Sequence, residues 1–138
     1  MKPKIIKEKI FLDDRGFVRT LSNLKFKKIK RIYFVNNFKK NFIRAWHAHK
    51  KESKYAYVLK GTVMFGAVNL KNNKISKFFI DEKIPKLLFI PPNYANGFMN
   101  LSNDSIVMFL SDKTLNQSLN DDIRFPYDKW NIWGIKNR

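Results

Sequence analysis

The chain has 138 residues, 28 Lys and Arg against 11 Asp and Glu for a formal net charge of +17, and no cysteine. That length makes one domain, residues 1–138, with a core large enough to fold without disulfides or metal; no apolar run of about eighteen residues exists to form a spanning helix, and the start, MKPKIIKEKIFLDDRG, lacks the apolar segment of a secretory signal, so the expected setting is the cytoplasm, off the membrane. The lysines are spread over every segment instead of forming one basic block, which favours a small anionic ligand and argues against nucleic acid as the partner.

Short runs rich in Ile, Val, Phe and Tyr alternate with Asn, Asp, Lys, Gly and Pro at intervals of about ten residues, which is a β pattern. In chain order the predicted strands are Ile5–Leu12, Phe17–Leu21, Lys30–Val35, Ile43–His49, Tyr55–Leu59, Thr62–Asn69, Ile75–Ile80, Lys86–Ile90, Ala95–Asn100 and Ser105–Ser111. Turns are expected at Asp13–Gly16, Lys60–Gly61, Leu70–Lys74 and Leu101–Asp104. One short helix is expected near Thr114–Leu119, and the tryptophan-bearing tail from Asp121 onward is expected to pack back on the domain. About ten strands with little helix make an all-β sandwich or barrel.

The only two histidines stand in RAWHAHKKESKYAYVLKG, Arg44 to Gly61. Residues two apart on a strand share a face, so His47 and His49 point one way while Trp46 and Ala48 point the other. The spacing His47, His49, Lys54, Gly61 fits the first metal-binding signature of the cupin barrels, and FIPPNYANGFMN, Phe89 to Asn100, fits the second. Both signatures lack a ligand, because Lys54 stands where a carboxylate is expected and Asn96 where a third histidine is expected. An ammonium has no lone pair and repels a divalent ion, so no metal and no cofactor is expected. Glu52 is a weak substitute by strand alternation. What the pocket offers instead is two imidazoles that can move a proton and an ammonium that can stabilise charge on an oxygen, the requirements for removing a proton beside a carbonyl.

Nearly the whole chain resembles the cupin-fold (jelly-roll) enzymes of nucleotide-linked 4-keto-6-deoxy sugars: the dTDP-4-dehydrorhamnose 3,5-epimerases and the related dTDP-sugar 3,4-ketoisomerases. DDRG resembles the early D-x-R-G of both groups, and KRIYFV with RAWHAHK resembles the ketoisomerase strand pair. KYAYVLKG, IPPNYANGF and DDIRFPYDKWNIW resemble epimerase segments. The resemblance implies His47 as general base, His47 and His49 as the ketoisomerase pair, and Lys54 beside the C4 oxygen. It also implies Arg15 and Arg44 as ligands of the nucleotide sugar, and Tyr33 on a pocket-lining strand as an acid or binding residue; Asn96 is a possible hydrogen-bonding partner of the substrate.

In two places the chain departs from the epimerases. FLSDKTL, Phe109 to Leu115, has no tyrosine where they carry a catalytic one, and the aspartate that orients their histidine lies on a C-terminal extension beyond the point where this chain ends. The ketoisomerases, for their part, lack Lys54 and YANGF. The expected function is thus a metal-independent isomerase of a dTDP-linked 4-keto-6-deoxyhexose, either epimerase or 3,4-ketoisomerase, feeding surface-polysaccharide synthesis as a homodimer. The expectation from another class is a cupin that binds a sugar without turning it over.

Overall fold

Period-two apolar runs bury one face each, and here they pair into two antiparallel five-stranded sheets packed face to face. The computed structural model describes residues 1–138. Its elements are β1 (Lys4–Lys7), β2 (Ile10–Asp13), β3 (Gly16–Arg19), β4 (Arg31–Asn37), β5 (Ile43–Ala48), β6 (Lys54–Lys60), β7 (Thr62–Asn69), β8 (Ile75–Asp81), β9 (Lys86–Ile90), β10 (Tyr94–Asn100), β11 (Ser105–Ser111), α1 (Leu115–Leu119) and β12 (Ile123–Arg124). One sheet runs β1-β9-β6-β11-β4 and the other β12-β5-β10-β7-β8, while β2 and β3 form a separate hairpin. The expected all-β, jelly-roll architecture is what the chain adopts. No helix is long and apolar enough to cross a membrane.

Three apolar layers hold the sheets. Ala56, Val58, Phe65, Leu88, Phe98 and Val107 belong to the layer between them. The outer face of the first sheet, with Tyr55, Tyr57, Leu87 and Phe89, is covered by Leu21, Leu24 and Phe26 from the β3–β4 connection. The outer face of the second, with Trp46, Met64 and Met99, is covered by Ile132 and Trp133 of the tail, which packs on the domain as expected. Trp46 Nε1 and Trp133 Nε1 both donate to the Tyr127 carbonyl, at 3.1 and 2.9 Å.

Two glycines facing each other across β10 and β7 make room for this layering. A Cβ on Gly66 would sit 2.5 Å from Ile132 Cδ1 and 2.7 Å from Trp46 Cη2, and one on Gly97 would sit 2.5 Å from Ala45 Cβ. Only hydrogen fits at either position.

Three elements differ from expectation. The run Ile5–Leu12 divides at Glu8, whose carboxylate accepts the amides of Ser22 (2.9 Å) and Asn23 (3.0 Å). That anchor leaves β1 on β9 and frees β2 for the hairpin with β3. The two-residue strand β12 was not expected; it exists because Ile123 and Arg124 pair with Ala48 and His47 of β5. The helix begins one residue later than predicted because Thr114 serves as its N-cap, in a reciprocal capping box with Gln117.

Candidate active site

Cross-strand register brings the site together. On one wall Asn96 of β10 and Arg124 of β12 flank His47 of β5. On the facing wall Ser111 of β11 is opposite Lys54 of β6, and Phe109 of β11 is opposite Tyr33 of β4. Between the walls lies a cavity of about 390 Å³ lined by Tyr33, Arg44, His47, Lys54, Asn96, Phe98 and Phe109 among others. A second hollow of about 450 Å³ shares Tyr33, His47 and Lys54 and continues to Arg31, His49, Asp122 and Arg124. Six of the seven expected site residues therefore converge.

Each is held by identifiable contacts. Trp46 and Ala48 are fully buried in the outer layer, so strand alternation turns His47 toward the cavity as expected. Asn96 Nδ2 donates to the His47 carbonyl at 3.0 Å, which fixes the strand behind the imidazole. The Asn93 amide donates to the His49 carbonyl at 2.8 Å, and Asn93 itself takes the left-handed conformation, φ 68°, that asparagine tolerates. Arg44 Nε donates to Asn37 Oδ1 at 2.6 Å. The Tyr33 ring stacks on Phe109, centroids 5.0 Å apart and 14° from parallel, and its hydroxyl lies 3.5 Å from Lys54 Nζ.

The seventh residue, Arg15, does not join them. It lines a separate shallow hollow on the β2–β3 hairpin and pairs with Asp13 at 2.6 Å, largely in solvent. A carboxylate nevertheless stands near His47: Asp122 Oδ1 lies 3.9 Å from His47 Nδ1, buried and without a hydrogen-bond partner, while Oδ2 accepts from Arg124 Nε at 2.7 Å. Burial and the nearby Arg124 and Lys54 charges push the His47 imidazolium below its usual range, outweighing Asp122. His47 is thus a neutral imidazole at neutral pH, the form a base needs.

Glu52, a weak candidate for a metal ligand by strand alternation, lies in residues 49–53, which precede β6 and to which alternation does not apply. Its side chain is buried with no exposed surface beside Arg31, His49, Lys54 and Ser111. Asp121 was missed: its carboxylate accepts the amides of Lys50 and Lys51, at 3.0 and 2.8 Å, and so closes the loop that carries Glu52. The only signal for either was a carboxylate close to the histidine motif, or doubled, in a chain with few carboxylates. No three His, Asp or Glu side chains converge as a metal-binding group.

Comparison with known proteins decides the family. The model of the dTDP-4-dehydrorhamnose 3,5-epimerase family matches residues 2–134. The chain belongs to that family. It is accordingly an isomerase of the kind that acts on dTDP-linked sugars. Among solved structures it is similar to a dTDP-4-dehydrorhamnose 3,5-epimerase from Sulfolobus tokodaii, 26% identical over 94% of this chain and 81% of that one, TM-score 0.81. It is equally similar to a 3,4-ketoisomerase from Helicobacter canadensis, 27% identical over 94% of both chains, TM-score 0.77. A sugar 3,4-ketoisomerase from Thermoanaerobacterium thermosaccharolyticum in complex with TDP shares the fold at 22% identity, TM-score 0.77, over 92% of this chain and 90% of that one. No curated protein matches the chain.

Proposed function

We propose that the enzyme epimerises a carbon next to the ketone of a dTDP-linked 4-keto-6-deoxyhexose, with His47 as base, Lys54 as the cation that stabilises the enolate oxygen, and Tyr33 as the acid. One observation carries the reading: the base and the acid–cation pair stand on opposite walls of one cavity, His47 on β5 and Tyr33 with Lys54 on β4 and β6. Inversion needs a proton removed from one face of the carbon and returned to the other, and two facing walls supply that. Tyr33, stacked on Phe109, offers a phenol beside the strand where the family's tyrosine is missing. Asp122 steadies the imidazolium that His47 becomes, and Lys54, 5% exposed, acts in the low-dielectric interior where a charge is most effective. Arg44 and Asn96 hold the sugar nucleotide.

The reading includes a homodimer in which the β2–β3 hairpin of one protomer brings Arg15 to the partner's cavity, and a cytoplasmic place in surface-polysaccharide synthesis. The second reading, a 3,4-ketoisomerase, is supported by the 27% identity with the H. canadensis enzyme.

NMR of dTDP-4-keto-6-deoxyglucose in D2O separates the two. Deuterium at an inverted C3, alone or with C5, and an unmoved ketone is the expected result. A ketone at C3 names a ketoisomerase, and no exchange at all overturns the isomerase reading. His47→Asn is expected to lower exchange about 10²- to 10⁴-fold, and Lys54→Met about 10²- to 10³-fold.

A further inference from the structure

Arg31 stands two residues before Tyr33 on β4, so the two side chains lie on one face of the strand, and both line the second hollow of the site. β4 is the edge of its sheet, so the only strand beside Tyr33 is β11, whose Phe109 stacks on the phenol ring with centroids 5.0 Å apart. The other planar group on that ring is the Arg31 guanidinium, its Cζ 4.9 Å from the centroid. An aromatic face attracts a cation, and a flat guanidinium can stack on it where an ammonium cannot.

The guanidinium is itself clamped. Nη1 donates to the Thr114 carbonyl at 3.1 Å, and Nη2 donates to Glu52 Oε1 at 3.1 Å and Ser118 Oγ at 3.3 Å. Thr114 is the N-cap of α1, and Ser118 is the buried residue of that helix. The Glu52 side chain has no exposed surface, and its Oε1 also accepts from Ser111 Oγ of β11 at 2.6 Å. Both terminal nitrogens of Arg31 are therefore committed to the protein. Arg44 differs, since only its Nε is engaged, by Asn37, and its terminal nitrogens remain for a ligand. Of the two arginines, Arg44 is built to grip the substrate and Arg31 to hold a neighbour.

We propose that Arg31 is a positioning residue for Tyr33: tied to α1 and Glu52, it fixes the phenol against Phe109, so that the hydroxyl, 3.5 Å from Lys54 Nζ, meets the substrate carbon from the wall opposite His47. Proton removal by His47 and stabilisation of the enolate by Lys54 do not use this clamp. Return of a proton to the opposite face does. Without the clamp the enolate still forms, and His47, having exchanged its proton with solvent, gives one back to the face it came from, which restores the original configuration. The catalytic consequence rests on the isomerase reading with Tyr33 as acid, whereas the placing of the ring rests on geometry alone.

Arg31→Lys tests this, because it keeps a cation beside the buried Glu52 but loses the plane and the fork. The chain has five tyrosines, so ¹H–¹³C spectra of protein with labelled tyrosine rings, assigned with Tyr33→Phe, read the clamp without substrate. The Tyr33 ring signals are expected to lose the displacement caused by the stacked Phe109 while the other four tyrosines keep theirs. An unaltered Tyr33 signal overturns the proposal. With dTDP-4-keto-6-deoxyglucose in D2O, inversion at C3 is expected to fall about ten- to a hundred-fold in Arg31→Lys, with KM little changed. Exchange with retained configuration is expected to persist, so the ratio of retained to inverted deuterated sugar rises, and adding Tyr33→Phe is expected to cause no further change. Equal loss of exchange and inversion, or losses that add in the double variant, assigns Arg31 to structure alone and overturns the positioning role. Failure of the acid reading would appear separately, as a Tyr33→Phe enzyme with an unaltered ratio or a product with its ketone at C3, and the ring spectra then still decide whether Arg31 holds Tyr33.

Discussion

His47 acts as a base only while neutral, so its surroundings set the acid limb of activity. Burial, Arg124 and Lys54 lower its titration below that of an ordinary histidine, and Asp122 opposes them. The enzyme is therefore expected to stay active as pH falls past 6.5, the ordinary value, and to lose kcat/KM only below it. The sign can be tested on both neighbours. Arg124→Met removes a charge that disfavours the imidazolium, so the limb moves to higher pH. Asp122→Asn removes the one that favours it, so the limb moves to lower pH, with slower turnover because the imidazolium formed in the reaction has lost its counter-charge. Initial rates of deuterium exchange against pH measure both shifts, and a limb unmoved in both variants would take the base role away from His47.

The site depends on an element that contributes almost no regular structure. β12 is two residues long, yet with Asp121 just before it, it brings Asp121, Asp122 and Arg124 against β5, and the Phe125 and Trp46 backbones exchange hydrogen bonds of 3.1 Å just beyond it. What holds it there is the tail, through Trp133 packed 5.0 Å from Trp46. Trp133→Ala is expected to cost about 3 kcal/mol in denaturant unfolding and to lower activity at temperatures where the protein is still folded, because the carboxylates are no longer held in register. Loss of stability with full activity would separate the tail from the site. The same element shows where reading the residues succeeds and stops. β7, β9 and β11 have the bounds predicted from alternation and flanking turns, since both signals are local. Lys54 and Asn96 were placed by spacing within a motif, and the structure brings them to His47. β12 and the break at Glu8 follow from partners distant in sequence, on which alternation is silent. The place of Glu52 depends on a loop, where alternation does not apply, and Asp122 cannot be told from Asp121 without knowing which one β5 faces.

At the scale of the whole molecule, two groups of exposed apolar residues stand on neighbouring positions of regular structure. The β2–β3 hairpin belongs to neither sheet and exposes Phe11, Leu12, Phe17 and Val18, the most open being Leu12 at 79%. β4 is a sheet edge whose alternation turns Tyr33 and Val35 inward and leaves Ile32 and Phe34 in solvent. An unpaired edge with apolar outward residues is an association surface unless something covers it, and a detached apolar hairpin of the same chain has the right chemistry to cover it in a second copy. That arrangement also gives Arg15 a role, since in its own protomer it meets only Asp13 at the hairpin tip. Mixed dimers test the arrangement without a structure of the assembly. Arg15→Ala and His47→Asn are each expected to be strongly impaired alone. If Arg15 serves the partner's cavity, a mixed dimer has one site with both groups intact, and equal amounts of the two variants, reassociated at random, recover about a quarter of wild-type activity. If Arg15 serves its own chain's cavity, every site in the mixture lacks one group and no activity returns. A protein that sediments as a monomer, or a mixture that stays inactive after verified exchange of protomers, removes Arg15 from the partner's site.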